Sequence, residues 1–264
     1  MIVAVYLIIA FIVGYLIGSV NFAKVFTKKI KNEDITEIGS KNPGTMNVLR
    51  TQGFGMAMLT LLFEAMKCGL PALASYFIFH VFVDGTSFGF GLLAYFIVAI
   101  AAIIGHCFPI YTKFKKGGHG LACMFGMFLF CPHFWWLSLI MFVVGLIMFC
   151  FIPYAFIMPM TFNFVLSVYS TVVFAVGRDF IFNQDLALST GVMVALIVLV
   201  WLNFLFDVYN VRGNIYRLVH GTERKVDFKA KLGLKKKDES VDTVKETPKV
   251  EEKTNKKTEE EKKE

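Results

Sequence analysis

Long apolar runs alternate with short polar segments along this chain. The runs cover residues 1–26, 54–83, 88–110, 121–131, 133–152, 153–176 and roughly 186–206, and Gly, Pro or charge marks each break. About 20 apolar residues cross a bilayer core as a helix, so the pattern predicts about seven transmembrane helices. The run 121–131 is too short to cross straight. It reads as a half-helix, or as one that borrows residues from the neighbouring loop. No basic segment precedes the first run and no small-residue cleavage site follows it. Residues 1–26 therefore read as a retained helix rather than a cleaved signal peptide.

Composition agrees and adds a division. Of 264 residues, 56% are apolar and 18% charged, against about a quarter charged in soluble domains. Charge is concentrated at one end. Residues 225–264 hold 13 Lys and 11 acids, leaving 14 Lys/Arg and nine acids in the first 224. That excludes a soluble globular enzyme and disfavours a nucleic-acid module. The expected organisation is a membrane domain, 1–228, followed by a disordered charged tail, 229–264. Five Cys (68, 107, 123, 131 and 150) lie in or beside apolar stretches, without C-x-x-C spacing. They read as small buried hydrophobes rather than a disulfide framework or metal site.

Positive charge orients the spans. With the N-terminus outside and seven crossings, the inner segments are 24–53, 111–120, a turn near Pro153, and 207 onward. Without the tail these hold 12 Lys/Arg; the outer segments, around Asp84 and 178–185, hold one. The bias predicts a cytosolic C-terminus. Lys67 alone lies inside a span, at i,i+3 spacing from Glu64, so the two share a helix face and can pair, either as a structural pair or at a site.

Three inner segments carry candidate chemistry. Residues 39–50 read GSKNPGTMNVLR, with Ser40, Asn42 and Asn47 as neutral donors and Arg50 as a bidentate cation. That set suits an oxyanion such as phosphate, although it also suits an ordinary turn. Residues 105–120 read GHCFPIYTKFKKGGHG, in which Lys115, Lys116, Gly117, Gly118 and Gly120 open an apolar helix in the manner of a phosphate-cradling loop. The nucleotide-loop spacing G-x-x-x-x-G-K-[ST] is absent. Residues 212–223 read RGNIYRLVHGTE; Asn214 and Arg217 share a helical face, and Gly221 is placed to end that helix. Plain basic anchoring is the alternative for the last two segments. Parity puts all three on one side of the membrane.

These segments resemble the bacterial membrane acyl-phosphate:glycerol-3-phosphate acyltransferases. That family's pattern runs G-S-x-x, G-S-x-N-x-G-x-x-N-x-x-R, G-H-x-x-P…F-K-G-G-x-G and N-x-x-R-L…G-x-E. Its counterparts here are Gly18–Asn21, Gly39 to Arg50, Gly105 to Pro109 with Phe114 to Gly120, and Asn214 to Glu223. The resemblance covers about residues 1–228. It implies an all-α polytopic membrane fold with cytosolic active-site loops, in the bacterial cell membrane. The reaction it implies moves an acyl group from acyl phosphate to the 1-hydroxyl of sn-glycerol 3-phosphate, giving lysophosphatidic acid and phosphate. No metal and no other cofactor is implied, and a substrate phosphate helps take the proton. By position, Ser40, Arg50, Asn214 and His119 fall on catalytic places. Asn42, Asn47, Lys115, Lys116, Gly117, Gly118, Gly120 and Arg217 fall on phosphate-binding ones. Glu223, with Glu64 and Lys67, reads as structural support.

The chain departs from the pattern where charge matters. His119 stands where the family has Lys, one Lys is added before the glycines, and Val211 stands where it has His. Lys41 and Cys68 replace Gly, Met46 replaces Thr, and Glu64 replaces Asp. Lys116 is placed to supply the charge His119 lacks, and whether His220 replaces the missing His stays open. An active enzyme, a low-activity or inactive paralogue that binds phospholipid precursors, and a small anion transporter are the three readings. Few polar residues line the spans, which weighs against transport.

Overall fold

A computed structural model describes residues 2–82, 88–115, 117–132, 134–176 and 189–226. The charged tail, the connections 83–87 and 177–188, Lys116 and His133 lie outside the described residues. The described residues form ten α-helices: α1 (Ile2–Gly18), α2 (Phe22–Lys31), α3 (Thr45–Gln52), α4 (Phe54–Phe82), α5 (Phe88–Cys107), α6 (Leu121–Leu129), α7 (Trp135–Phe149), α8 (Ile157–Val176), α9 (Thr190–Asn210) and α10 (Arg212–Val219).

All seven apolar runs are helical, so the polytopic all-α class holds. Among the described residues, five stretches are long and apolar enough to cross by themselves: Val3–Lys31, Phe54–Phe79, Gly89–Thr112, Ile157–Ala175 and Thr190–Asn210. The nine residues of α6 rise only about 14 Å, against about 30 Å of hydrocarbon. The 15 residues of α7 also fall short. The start of α6 and the end of α7 line the same cavity. The first run is broken too. Asn21 accepts from the Lys24 N–H and caps a new helix, α2, three residues after α1 ends.

Helix α5 forms the centre. Its residues Tyr95, Phe96, Ala99, Ala102 and Ile103 are fully buried. Small residues let the neighbours approach it, as in other membrane bundles. A Cβ on Gly18 of α1 would stand 2.1 Å from the Ala102 carbonyl oxygen, and one on Gly105 would stand 2.2 Å from that of Tyr15. Between α4 and α6 the same device recurs, with Gly126 against Ala65. Large apolar side chains point outward, among them Ile8 and Ile12 of α1, Val143 and Ile147 of α7, and Val198 and Leu202 of α9. That surface suits lipid rather than water. None of the five cysteines forms a disulfide, and four of them are buried.

Candidate active site

The three polar segments meet. Ser40, Arg50, His119, Gly120, Asn214 and Glu223 all line one cavity of about 390 Å³. Its mouth is polar. Its body runs between α4, α6, α7 and α8 along Leu61, Phe125, Phe142, Leu146, Met158 and Phe162.

The first segment is a turn held open from inside. Asn47 is buried, and its amide is spent on the loop: Oδ1 accepts from the Ser40 N–H at 2.8 Å, and Nδ2 donates to the Ile35 and Ile38 carbonyls. Asn47 therefore positions Ser40 instead of offering its own donors outward. Lys41 adopts φ +60°, the left-handed region where a Cβ is strained. That explains physically why Gly is usual there. Helix α3 then starts at Gly44 with no side-chain cap, and Thr45 and Met46 line the cavity. The start of a helix carries partial positive charge on its unbonded N–H groups, and here it belongs to residues that line the cavity. Thr45 Oγ1 is buried there without a partner among the described residues.

Arg50 closes the other end of α3. Burial pulls its pKa below the ordinary value; Glu223 opposes this, while Arg224 and Arg217 add to it. It stays a cation at neutral pH.

The glycine loop has a different role from a bare phosphate cradle. A Cβ on Gly117 would lie 1.9 Å from the Cys107 carbonyl oxygen, and one on Gly118 would lie 2.1 Å from His106 Nε2. The Gly118 N–H donates to the His106 carbonyl at 3.2 Å. These two glycines let the loop lie flat on the end of α5. Gly120, at φ +89°, starts α6 without a side-chain cap, and Gly120, Leu121 and Ala122 line the cavity. Two helix N-termini without side-chain caps thus line one cavity, an arrangement whose chemistry suits an anion. Lys115 is exposed and does not line the cavity. Lys116, the expected substitute for His119, lies outside the described residues. His119 does line the cavity. Burial, and to a smaller extent the fields of His106 and Arg217, push it down to about 4, so it is neutral at pH 7.

In the third segment, Asn214 and Arg217 lie one turn apart on α10, as their spacing predicts. Gly221 turns the chain at φ +70°. Glu223 then comes back under the helix, accepting from Asn214 Nδ2 and Arg217 Nε, each at 2.8 Å. Its role is to hold these two donors in place. His220 is exposed and stacks on Tyr216, off the cavity, so it does not replace the missing His. Val211 is buried at the α9–α10 junction.

Glu64 and Lys67 pair as their spacing predicts, and the structure adds His106, which sequence reasoning missed. Glu64 Oε2 contacts Lys67 Nζ and, at 3.0 Å, His106 Nδ1; Glu64 Oε1 accepts from the Phe22 N–H at 2.7 Å. Lys67 Nζ also donates to the Val20 carbonyl. This buried cluster ties the α1–α2 break to α4, to α5 and, through Gly118, to the glycine loop. Glu64, His106 and Cys123 present three ligand-type atoms within 4.8 Å of one another. The Lys67 ammonium already lies against Glu64 and His106, where a metal ion would have to stand. The donor set therefore fits a lysine better than a metal. Arg224 and Asn210, also on the cavity wall, were missed as well. Arg224 directly follows the third motif, and its continuation of the basic run there was the available signal.

A family model described as glycerol-3-phosphate acyltransferase matches residues 8–221. The chain is 34% identical over 218 residues to the glycerol-3-phosphate acyltransferase of Bordetella pertussis, covering 83% of this chain and 91% of that one. It is 36% identical over 121 residues to the protein of the same description in Mycoplasma mycoides, covering 46% of this chain and 45% of that relative, less than half of its length. The fold is similar to the crystal structure of PlsY (YgiH), an integral membrane glycerol 3-phosphate acyltransferase, in its glycerol 3-phosphate form. The TM-score is 0.64, with 25% identity over 87% of this chain and 99% of that one.

Proposed function

The chain belongs to the glycerol-3-phosphate acyltransferase family, and from that premise we propose that it acylates the 1-hydroxyl of sn-glycerol 3-phosphate, with acyl phosphate as donor. The products are lysophosphatidic acid and inorganic phosphate. One observation carries this reading: an anion-binding mouth opens directly into an apolar body, inside one cavity that all three polar segments line. A phosphate at the mouth and an acyl chain in the body are then held together, which is most of what acyl transfer requires.

The glycerol oxygen attacks the acyl carbonyl. A carbon–oxygen ester bond forms, and the bond from the acyl carbon to the phosphate oxygen breaks. Negative charge builds on the carbonyl oxygen, where Ser40, Asn214 and the N–H groups opening α3 and α6 supply donors. Arg50 neutralises phosphate, and Glu223 fixes Arg217 beside it. The hydroxyl proton needs an acceptor. His119, at about 4, is a weak base for that work. A substrate phosphate, whose second pKa is about 6, is the better acceptor. Asn42 lines the mouth near Ser40. The active face is the cytosolic one, with the C-terminus on the same side.

Purified protein in lipid, given palmitoyl phosphate and labelled glycerol 3-phosphate, should move label into the lipid-soluble fraction as lysophosphatidic acid. Label remaining wholly water-soluble would overturn the reading.

A further inference from the structure

We propose that Arg224 is a further phosphate-binding cation of this site, placed just after the third segment. Position 119 carries no charge at neutral pH, and Lys115 does not line the cavity. Arg217 lines it, but its Nε is committed to Glu223 at 2.8 Å. Arg224 lines the same cavity from the residue after Glu223. Its Nη1 donates to the Gly39 carbonyl at 3.1 Å, the residue before Ser40, and its own carbonyl makes a long 3.5 Å contact with Arg50 Nη2. One of its five N–H groups thus fixes the guanidinium across the mouth, and its planar fork suits bidentate contact with phosphate.

The neighbourhood gives a second argument. Arg224 and Arg217 both disfavour the charged form of Arg50. Glu223 already offsets part of this repulsion, and a phosphoryl group bound beside these guanidinium groups adds to that offset. The ligand is a phosphoryl group, from glycerol 3-phosphate or from acyl phosphate. Identifying those two sources rests on the acyl-transfer reading, whereas phosphate binding by Arg224 does not.

The test has two arms. In the first, inorganic phosphate is titrated into the full chain in lipid nanodiscs while thermal unfolding is followed. Phosphate should raise the Tm of the wild type. Losing one charge-assisted contact should weaken apparent phosphate affinity about tenfold in Arg224→Gln, and Arg224→Lys should retain more of it. Equal affinity in wild type and Arg224→Gln, equal loss in Arg224→Gln and Arg224→Lys, or no phosphate response in the wild type would each overturn the proposal. Ligand-free Tm values of the variants separate this from misfolding. In the second arm, KM is measured for each substrate. A rise confined to glycerol 3-phosphate places Arg224 on the acceptor's phosphate, and a rise confined to palmitoyl phosphate places it on the donor's. Unchanged KM for both overturns the proposal. If the chain makes no product yet loses phosphate affinity in Arg224→Gln, the acyl-transfer reading fails and the Arg224 site stands.

Discussion

At the residue scale the chemistry is carried by a few cations and donors whose types were visible in the sequence. Ser40, Arg50, Asn214 and Arg217 stand at the mouth where their motifs put them. The division of labour among their neighbours was not visible, because it depends on what lies behind each one. Asn47 turns its amide inward to the Ile35 and Ile38 carbonyls, and Gly118 gives its N–H to His106. Arg50→Ala should lower turnover by about 100-fold or more, the usual scale for losing a group that stabilises developing charge, with Tm nearly unchanged. Steady-state assay beside thermal unfolding checks this. His119 gives a prediction of defined sign. Its pKa is 6.5 in the unfolded chain and about 4 in the fold, so between those values the unfolded chain binds more protons. Its contribution to stability is full above 6.5 and is lost as the pH falls toward 4. Tm measured against pH should therefore drop more steeply on acidification in wild type than in His119→Gln.

At the element scale, the positions of the apolar helices were legible and their lengths were not. Helices such as α1 and α7 are apolar on every side, so no period marks where they stop. The actual breaks come from tertiary detail: Asn21 capping α2 while Asn21 Nδ2 holds the Pro43 carbonyl, and Phe130 ending α6 on the Gly126 and Phe128 carbonyls. The short α6 and α7 matter because they make room for the cavity. Phe142 of α7 packs on Phe125 of α6, ring centroids 5.1 Å apart, and Phe125 packs on Phe162 of α8 at 5.6 Å. Seven residues separate Phe142 from Phe149, about 10 Å along the helix, so these rings lie about two turns in from the end of α7. Phe142→Ala should shift preference toward longer acyl phosphates by several-fold in kcat/KM. A series of donors from 12 to 18 carbons would read that shift, with an unchanged profile counting against a role for the ring in chain length.

At the scale of the whole molecule, charge bias along the chain anticipated the main result, that three distant segments face one another. The sequence did not reveal how the mouth is closed. After Glu223 the chain pairs with the turn before α8: Lys225 bridges to Tyr154, and the Val226 N–H donates to the Pro153 carbonyl at 2.8 Å. Val226 is buried against Ala23, Val48, Phe149 and Ala155. Residues 222–226 are thus part of the domain, a contact of high sequence separation that composition does not signal. Truncation after Phe228 should leave turnover within about twofold of the full chain, whereas truncation after Gly221 should abolish it by removing Glu223 and the strap. The central claim is tested most directly by phosphate release in lipid. With palmitoyl phosphate and glycerol 3-phosphate together, the protein should release inorganic phosphate in step with lysophosphatidic acid, and with either substrate alone it should release none. Release from palmitoyl phosphate alone, or no release at any pH from 6 to 9, would contradict the account.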